Sequence, residues 1–158
     1  PNPSVGADGG SSTDASMSVS EVQALLQASS NATLTAVQSA VEAGATETLD
    51  STEPCASGSI HIKGTLDLDD LDSQFSNCEH GAYTLNGGMR TITSQNITEE
   101  TVFSYGVVTG ELQVSGAVVG TCRLDYAHES TFDRNTSEQV LELTGTICGH
   151  PAEAIFSQ

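Results

Sequence analysis

The chain has 158 residues and a mass of 16.3 kDa, with four Lys and Arg against 21 Asp and Glu, for a formal net charge of -17. That charge excludes nucleic acid and anionic membrane surfaces as partners, because both demand a basic patch. Apolar residues at 37% and charged ones at 16% fit one domain with its own core and separate the chain from wholly disordered ones.

Residues 1–16, PNPSVGADGGSSTDAS, consist almost throughout of Pro, Gly, Ser, Asp and Asn. Such a composition cannot bury a core and predicts a flexible tether, an assembly arm that docks into a neighbouring copy, or an ordinary frayed end. As a tether it would hold a domain away from an anchor, for instance a lipidated cysteine just upstream. The chain opens at Pro1 and no signal sequence is visible, which reads as processing or choice of boundaries.

Residues 17–50 read as a helical segment. Ser18-Val19-Ser20-Glu21 has the Ser-x-x-Glu form of a capping box. Apolar residues recur at Val22, Leu25, Leu26, Leu34, Val37 and Val41, a three/four spacing that places most of them on one face, and Gly44 supplies a stop. Ser29-Ser30-Asn31 interrupts the pattern, so one long helix and two short ones both fit. The polar face carries Gln and Ser instead of lysines, unlike a basic membrane-binding helix.

Residues 51–158 read as a disulfide-bonded antiparallel β region. In Ser59–Leu68, Ile60, Ile62, Leu66 and Leu68 alternate with polar residues, the pattern of a half-buried strand. Similar runs follow at Ala82–Thr93, Thr101–Val108, Glu111–Val119, Thr121–Tyr126 and Gln139–Ile147, linked by Asn86-Gly87-Gly88, Thr109-Gly110 and Gly120. Gly64, Gly106, Gly116 and Gly145 inside strands mark bulges or close approaches. Strand follows strand with little room for crossover helices. The predicted class is therefore α+β, an N-terminal helical segment packed on an antiparallel meander or small sandwich.

Cys55, Cys78, Cys122 and Cys148 form an even set, which in an oxidising compartment means two disulfides and three connectivities. Sequence order favours Cys55–Cys78 and Cys122–Cys148, each closing a loop worth about 3 kcal/mol in the chain-entropy model. Sequons at Asn31, Asn96 and Asn135 offer glycosylation sites, and together these features point to a secreted or cell-surface protein. No run of eighteen apolar residues is present, so no membrane span is expected.

Several motifs in the β region carry a resemblance. Phe75-Ser-Asn-Cys78, Gly81-Ala-Tyr-Thr-Leu-Asn-Gly87, Gly110-Glu-Leu-Gln-Val-Ser-Gly116, Gly120-Thr-Cys122 and Gly145-Thr-Ile-Cys-Gly149 resemble a pattern in uncharacterised secreted or lipid-anchored bacterial β-rich proteins. There the pattern follows a Gly/Ser-rich tether and a short helical region. The resemblance spans about residues 55–150 and implies a β scaffold without any known activity.

Two constellations bear on chemistry. Asp67, Asp69, Asp70 and Asp72 could offer oxygen ligands to calcium, although the run lacks the EF-hand order of Gly and Glu. Cys78-Glu79-His80 and Cys148-Gly149-His150 would make a tetrahedral zinc site only as thiolates, which conflicts with disulfides. There is no Gly-x-Ser-x-Gly elbow and no phosphate-binding loop, so no catalytic residue is named. The first expectation is thus a non-enzymatic extracellular structural or assembly protein, self-associating into a homo-oligomer, fibre or coat. The alternatives are a tethered cell-surface binding module for calcium or a glycan, and a secreted hydrolase. The single lysine, Lys63, among so many carboxylates also suits a surface adapted to high salt.

Overall fold

The structure, a computed structural model, describes residues 17–67 and 69–157. The expected arm, residues 1–16, lies outside the described residues, as does Leu68.

Helix α1 spans Val19–Glu42 without a break. Its start is the capping box read from the sequence: the Glu21 amide donates to Ser18 Oγ at 3.2 Å, and the Ser18 amide donates to Glu21 Oε1 at 2.9 Å. Both residues flanking the cap, Met17 and Val22, are buried in the core. Gly44 follows the helix end with φ +111°, a conformation that favours glycine. Ser29-Ser30-Asn31 causes no kink, because the Ser29 hydroxyl donates to the Leu26 carbonyl at 3.0 Å within the helix. The buried face differs from the one built on the bulky residues. Leu34 and Val41 are 55% and 45% exposed, while Ala28, Ala32, Ala36 and Ala40 face the sheet. Small side chains at four-residue spacing let the helix lie close to the strands. Thr33 adds a polar tie, its hydroxyl 3.4 Å from Ser73 Oγ in the buried layer.

Beneath α1 the described residues form one antiparallel sheet of eight strands whose spatial order follows the chain. The strands are β1 (Thr48–Pro54), β2 (Ser59–Thr65), β3 (Asp70–His80), β4 (Tyr83–Ile97), β5 (Thr101–Gly116), β6 (Gly120–Asp133), β7 (Gln139–Ile147) and β8 (His150–Pro151). A five-residue helix, α2 (Ala152–Phe156), follows. The fold is thus α+β, a helix on a meander with two disulfides. Between the expected meander and sandwich, the single sheet in chain order is the meander.

Several strand boundaries depart from the sequence reading. Thr101–Val108 and Glu111–Val119 are one strand, and Thr109-Gly110 is no turn: β4 and β5 pair along all 15 residues of β4. Asn86-Gly87-Gly88 likewise lies inside β4. These glycines serve close approach. A Cβ at Gly110 would overlap the Gly88 carbonyl oxygen, and one at Gly87 would overlap that of Glu111. β1, β3 and α2 add elements that the sequence reading did not assign.

The α1 side of the sheet holds Leu49, Ile60, Ile62, Phe75, Leu85, Leu112, Leu124 and Ile147, all buried. The outer side is polar over the same region. One cross-strand row there runs Asp50, Lys63, Asp72, Arg90, Thr109 and Asp125, with opposite charges facing one another through its first four members. Cys55–Cys78 ties the β1–β2 turn to β3, and Cys122–Cys148 ties β6 to the β7–β8 turn. In that turn Cys148 and Gly149 both have positive φ, 49° and 81°, as a tight two-residue hairpin requires.

Candidate functional site

The expected calcium ligands do not converge. Asp67, in the β2–β3 turn, accepts from the Thr65 hydroxyl and the Asp69 amide and lines a groove under α1. Asp70 turns to the outer side and takes a two-pronged ion pair from Arg90, at 3.0 and 2.8 Å. Asp72 accepts from Gln74 Nε2 at 2.9 Å. Hydrogen bonds from Thr65 and Asp69 hold the Asp67 carboxyl below its usual range, and the bond from Arg90 does the same for Asp70. Among the described residues no group of three or more His, Cys, Asp or Glu is placed to hold a metal ion.

The zinc alternative fails on its thiolates. Cys78 and Cys148 each sit in a different disulfide, and the described residues include no free cysteine. His150 instead donates from Nε2 to the Met17 carbonyl at 2.6 Å, fixing the chain just before α1 to β8. The sequon residues Asn31, Asn96 and Asn135 are all exposed, on α1, near the end of β4 and in the β6–β7 turn.

What the structure does bring together is a groove and a bare sheet end. Between α1, α2 and the sheet runs an open groove of 490 Å³ lined by Leu26, Met89, Val108, Tyr126, Ile155 and Phe156. A second part, of 320 Å³, shares Ser30, Met89 and Thr91 with it and continues past Leu34 and Leu71. Gln23 Nε2 donates to the Ile155 carbonyl at 2.7 Å and locks α2 to α1. Tyr126 packs on Phe156 with ring centroids 5.8 Å apart, and burial raises its hydroxyl pKa above the ordinary value.

Beyond the groove the four long strands continue past α1. None of the residues 94–97, 102–105, 129–132 and 139–142 is buried. On the α1 side this end carries Ile97, Val102, Phe132 and Leu141; on the outer side it carries Tyr105, Phe103 and Val140. Ile97 is 59% exposed, Val140 61% and Leu141 55%. Where this end meets the groove, the His128 ring lies across Gly106 on the neighbouring strand, leaving no room for a Cβ, which would stand 2.6 Å from the ring. A further cavity of 510 Å³ beside β7 is lined by Tyr105, His128, Glu129, Glu142 and Glu153, and no hydrogen bond or ion pair links these five.

Both outer edges of the sheet are also open. Among the described residues β1 has no strand beyond it, and β8 covers β7 only at Thr146 and Ile147. No described helix is long and apolar enough to cross a membrane. Periodicity alone did not reveal the bare end, because alternation looks the same whether its apolar side is covered or exposed. No protein-family model, no curated protein and no solved structure matches the chain.

Proposed function

We propose that the protein is a non-enzymatic extracellular structural or assembly protein, a subunit of a surface fibre or coat. The observation that carries this reading is the end of β4–β7, uncovered on both sides and studded with exposed Ile97, Tyr105, Phe132, Val140 and Leu141. Exposed apolar side chains on both sides of an uncovered strand end, on a disulfide-stapled domain, suit an interaction site. The two disulfides suit an oxidising compartment such as the cell exterior. The test is sedimentation and negative-stain microscopy of the full chain over a wide concentration range, with and without calcium. Dimers, fibres or sheets support the reading, and a monomer under every condition overturns it.

The apolar groove favours a second reading, a cell-surface binding module. Its lining of Leu26, Met89, Val108, Tyr126 and Phe156 suits a ligand with one apolar face. A glycan array and a calcium titration followed by calorimetry decide it; silence in both sinks this reading.

A further inference from the structure

We propose that two copies of this chain pair antiparallel through β7, about a two-fold axis at Leu141, to make one continuous sheet. The inference rests on the assembly reading above and names the partner and the interface.

One side of β7 leaves main-chain donors and acceptors open to a further strand. Two hydrogen bonds bracket the β6–β7 ladder in its own register, Asp133 amide to Glu138 carbonyl and Cys148 amide to Arg123 carbonyl. Bonded positions alternate along an antiparallel pair, so the amides and carbonyls of Val140, Glu142 and Thr144 face β6. Those of Gln139, Leu141 and Leu143 face outward, with no strand beside them among the described residues. An edge strand free of proline and bearing exposed Val140 and Leu141 is a template for another strand.

Of the strands this chain can offer, β7 itself fits that edge best. The opposite edge, β1, is guarded: its outward positions are Thr48, Asp50, Thr52 and Pro54, and Pro54 has no amide to donate. Residues 1–16 hold two Pro, three Gly and two Asp, a poor strand to lay beside Glu138 and Glu142. A second β7 supplies a matching row of free donors and acceptors.

Charge then fixes the register. With the axis at Leu141, Glu142 lies opposite Val140 of the other copy and Glu138 opposite Thr144, so no two carboxylates meet. An axis at Val140 puts Glu138 against Glu142, and an axis at Glu142 puts that residue against itself. An axis at Leu143 puts Gln139 against Ile147, whose outward side β8 already occupies. With the axis at Leu141, Leu141 and Leu143 of both copies form one apolar strip on the α1 side.

A Leu141→Cys variant tests the pairing directly, because the four native cysteines are already bonded to each other. Directly paired residues of this kind have Cα atoms about 5.5 Å apart, within disulfide reach. Mild oxidation is expected to give a covalent dimer at micromolar concentration, while Thr52→Cys on β1 stays monomeric. On the unmodified chain, hydrogen exchange at the Leu141 and Leu143 amides is expected to slow at least tenfold as concentration rises, with no change at Asp50 and Thr52. A chain that sediments as a dimer or larger, yet neither cross-links at this site nor protects these amides, overturns the pairing and leaves the assembly reading standing. A chain that is monomeric at every concentration overturns both.

Discussion

Asn86 holds Asn77 in a left-handed conformation at the point where β3 bulges. The Asn77 amide donates to Asn86 Oδ1 at 2.8 Å, and Asn86 Nδ2 donates to Asn77 Oδ1 at 3.0 Å. Asn77 has φ +48°, and the β3–β4 register shifts between Phe75 and Cys78. The extra residue lets β3 bring Phe75 and Cys78 to the same buried side. The β1–β2 turn then folds over the bulge, with the Ala56 amide donating to Glu79 and the Glu79 amide to Ser57.

Replacing Asn86 by Ala removes both bonds and leaves the Asn77 backbone without its clamp. A loss of about 1 kcal/mol is expected for an exposed pair, which lowers the melting temperature by roughly 3 °C in a domain of this size. Calorimetry of Asn86→Ala against Asn86→Asp checks it, since the aspartate keeps the acceptor. Equal melting temperatures for Asn86→Ala and the parent chain would refute the clamp.

Gly110 makes a harsher prediction. Its φ is +147° and a Cβ there would overlap the Gly88 carbonyl oxygen of β4. Gly110→Ala must therefore both strain its own backbone and push β4 from β5, at about 3 kcal/mol or more. Urea unfolding measures the loss. Gly44→Ala is the control, because a Cβ at Gly44 meets nothing within 4 Å and only the backbone strain remains.

The same glycines explain part of what the sequence did and did not make legible. Gly next to Asn or Thr reads as a turn signal, yet Gly87 and Gly110 sit in the middle of long paired strands because neighbouring backbone needs the space. The capping box at Ser18 and Glu21 was readable because its chemistry is local. The buried face of α1 was not, since Leu34 and Val41 have the right spacing for a core and only the sheet's demand for close approach selects the alanines. β3 hid behind its aspartates: Leu71, Ser73 and Phe75 point to the core while Asp70, Asp72 and Gln74 take the outer side. The bare end of β4–β7 depends on where α1 stops covering the sheet, a tertiary fact that no alternation pattern encodes.

The Asp70–Arg90 pair gives the acid limb a defined sign. Hydrogen bonding to Arg90 lowers the Asp70 pKa in the folded state relative to the unfolded chain. The pair's stabilisation is therefore complete above the ordinary carboxylate pKa of about 4, and is lost as pH falls through the lower folded value. Denaturation midpoints taken from neutral into acid pH are expected to fall less steeply for Asp70→Asn than for the parent. A parallel pair of curves would show that the pair contributes nothing at this exposed site.

Each disulfide should matter through the segment it anchors. Cys55–Cys78 closes a separation of 23 residues and Cys122–Cys148 one of 26, worth about 3 kcal/mol each in the chain-entropy model. Cys122→Ala with Cys148→Ala frees the β7–β8 turn and with it α2, whose Ile155 carbonyl holds Gln23 of α1. That double variant is expected to lose hydrogen-exchange protection at Ile147 and Ile155, whereas Cys55→Ala with Cys78→Ala loosens β1 and β2. Identical exchange patterns in the two variants would mean that the bonds staple the chain globally and not segment by segment.

The charge of -17 sets the condition under which any assembly forms. Of the four Lys and Arg, Lys63, Arg90 and Arg123 lie on the outer side of the sheet over the core, away from the bare end. Arg134 lies in the β6–β7 turn, and among the described residues no cation is paired with Glu129, Glu138 or Glu142 beside β7. Copies approaching through this end would therefore repel until salt screens them, although the proposed contact is apolar and main-chain. Raising salt from about 0.1 M to about 1 M shortens the screening length from roughly 10 Å to 3 Å. Self-association measured by sedimentation equilibrium is expected to strengthen over that range with sodium chloride alone and to ignore a chelator. Association that weakens with salt would place an ion pair at the contact. Association abolished by chelator would make a divalent cation the bridge between the carboxylates.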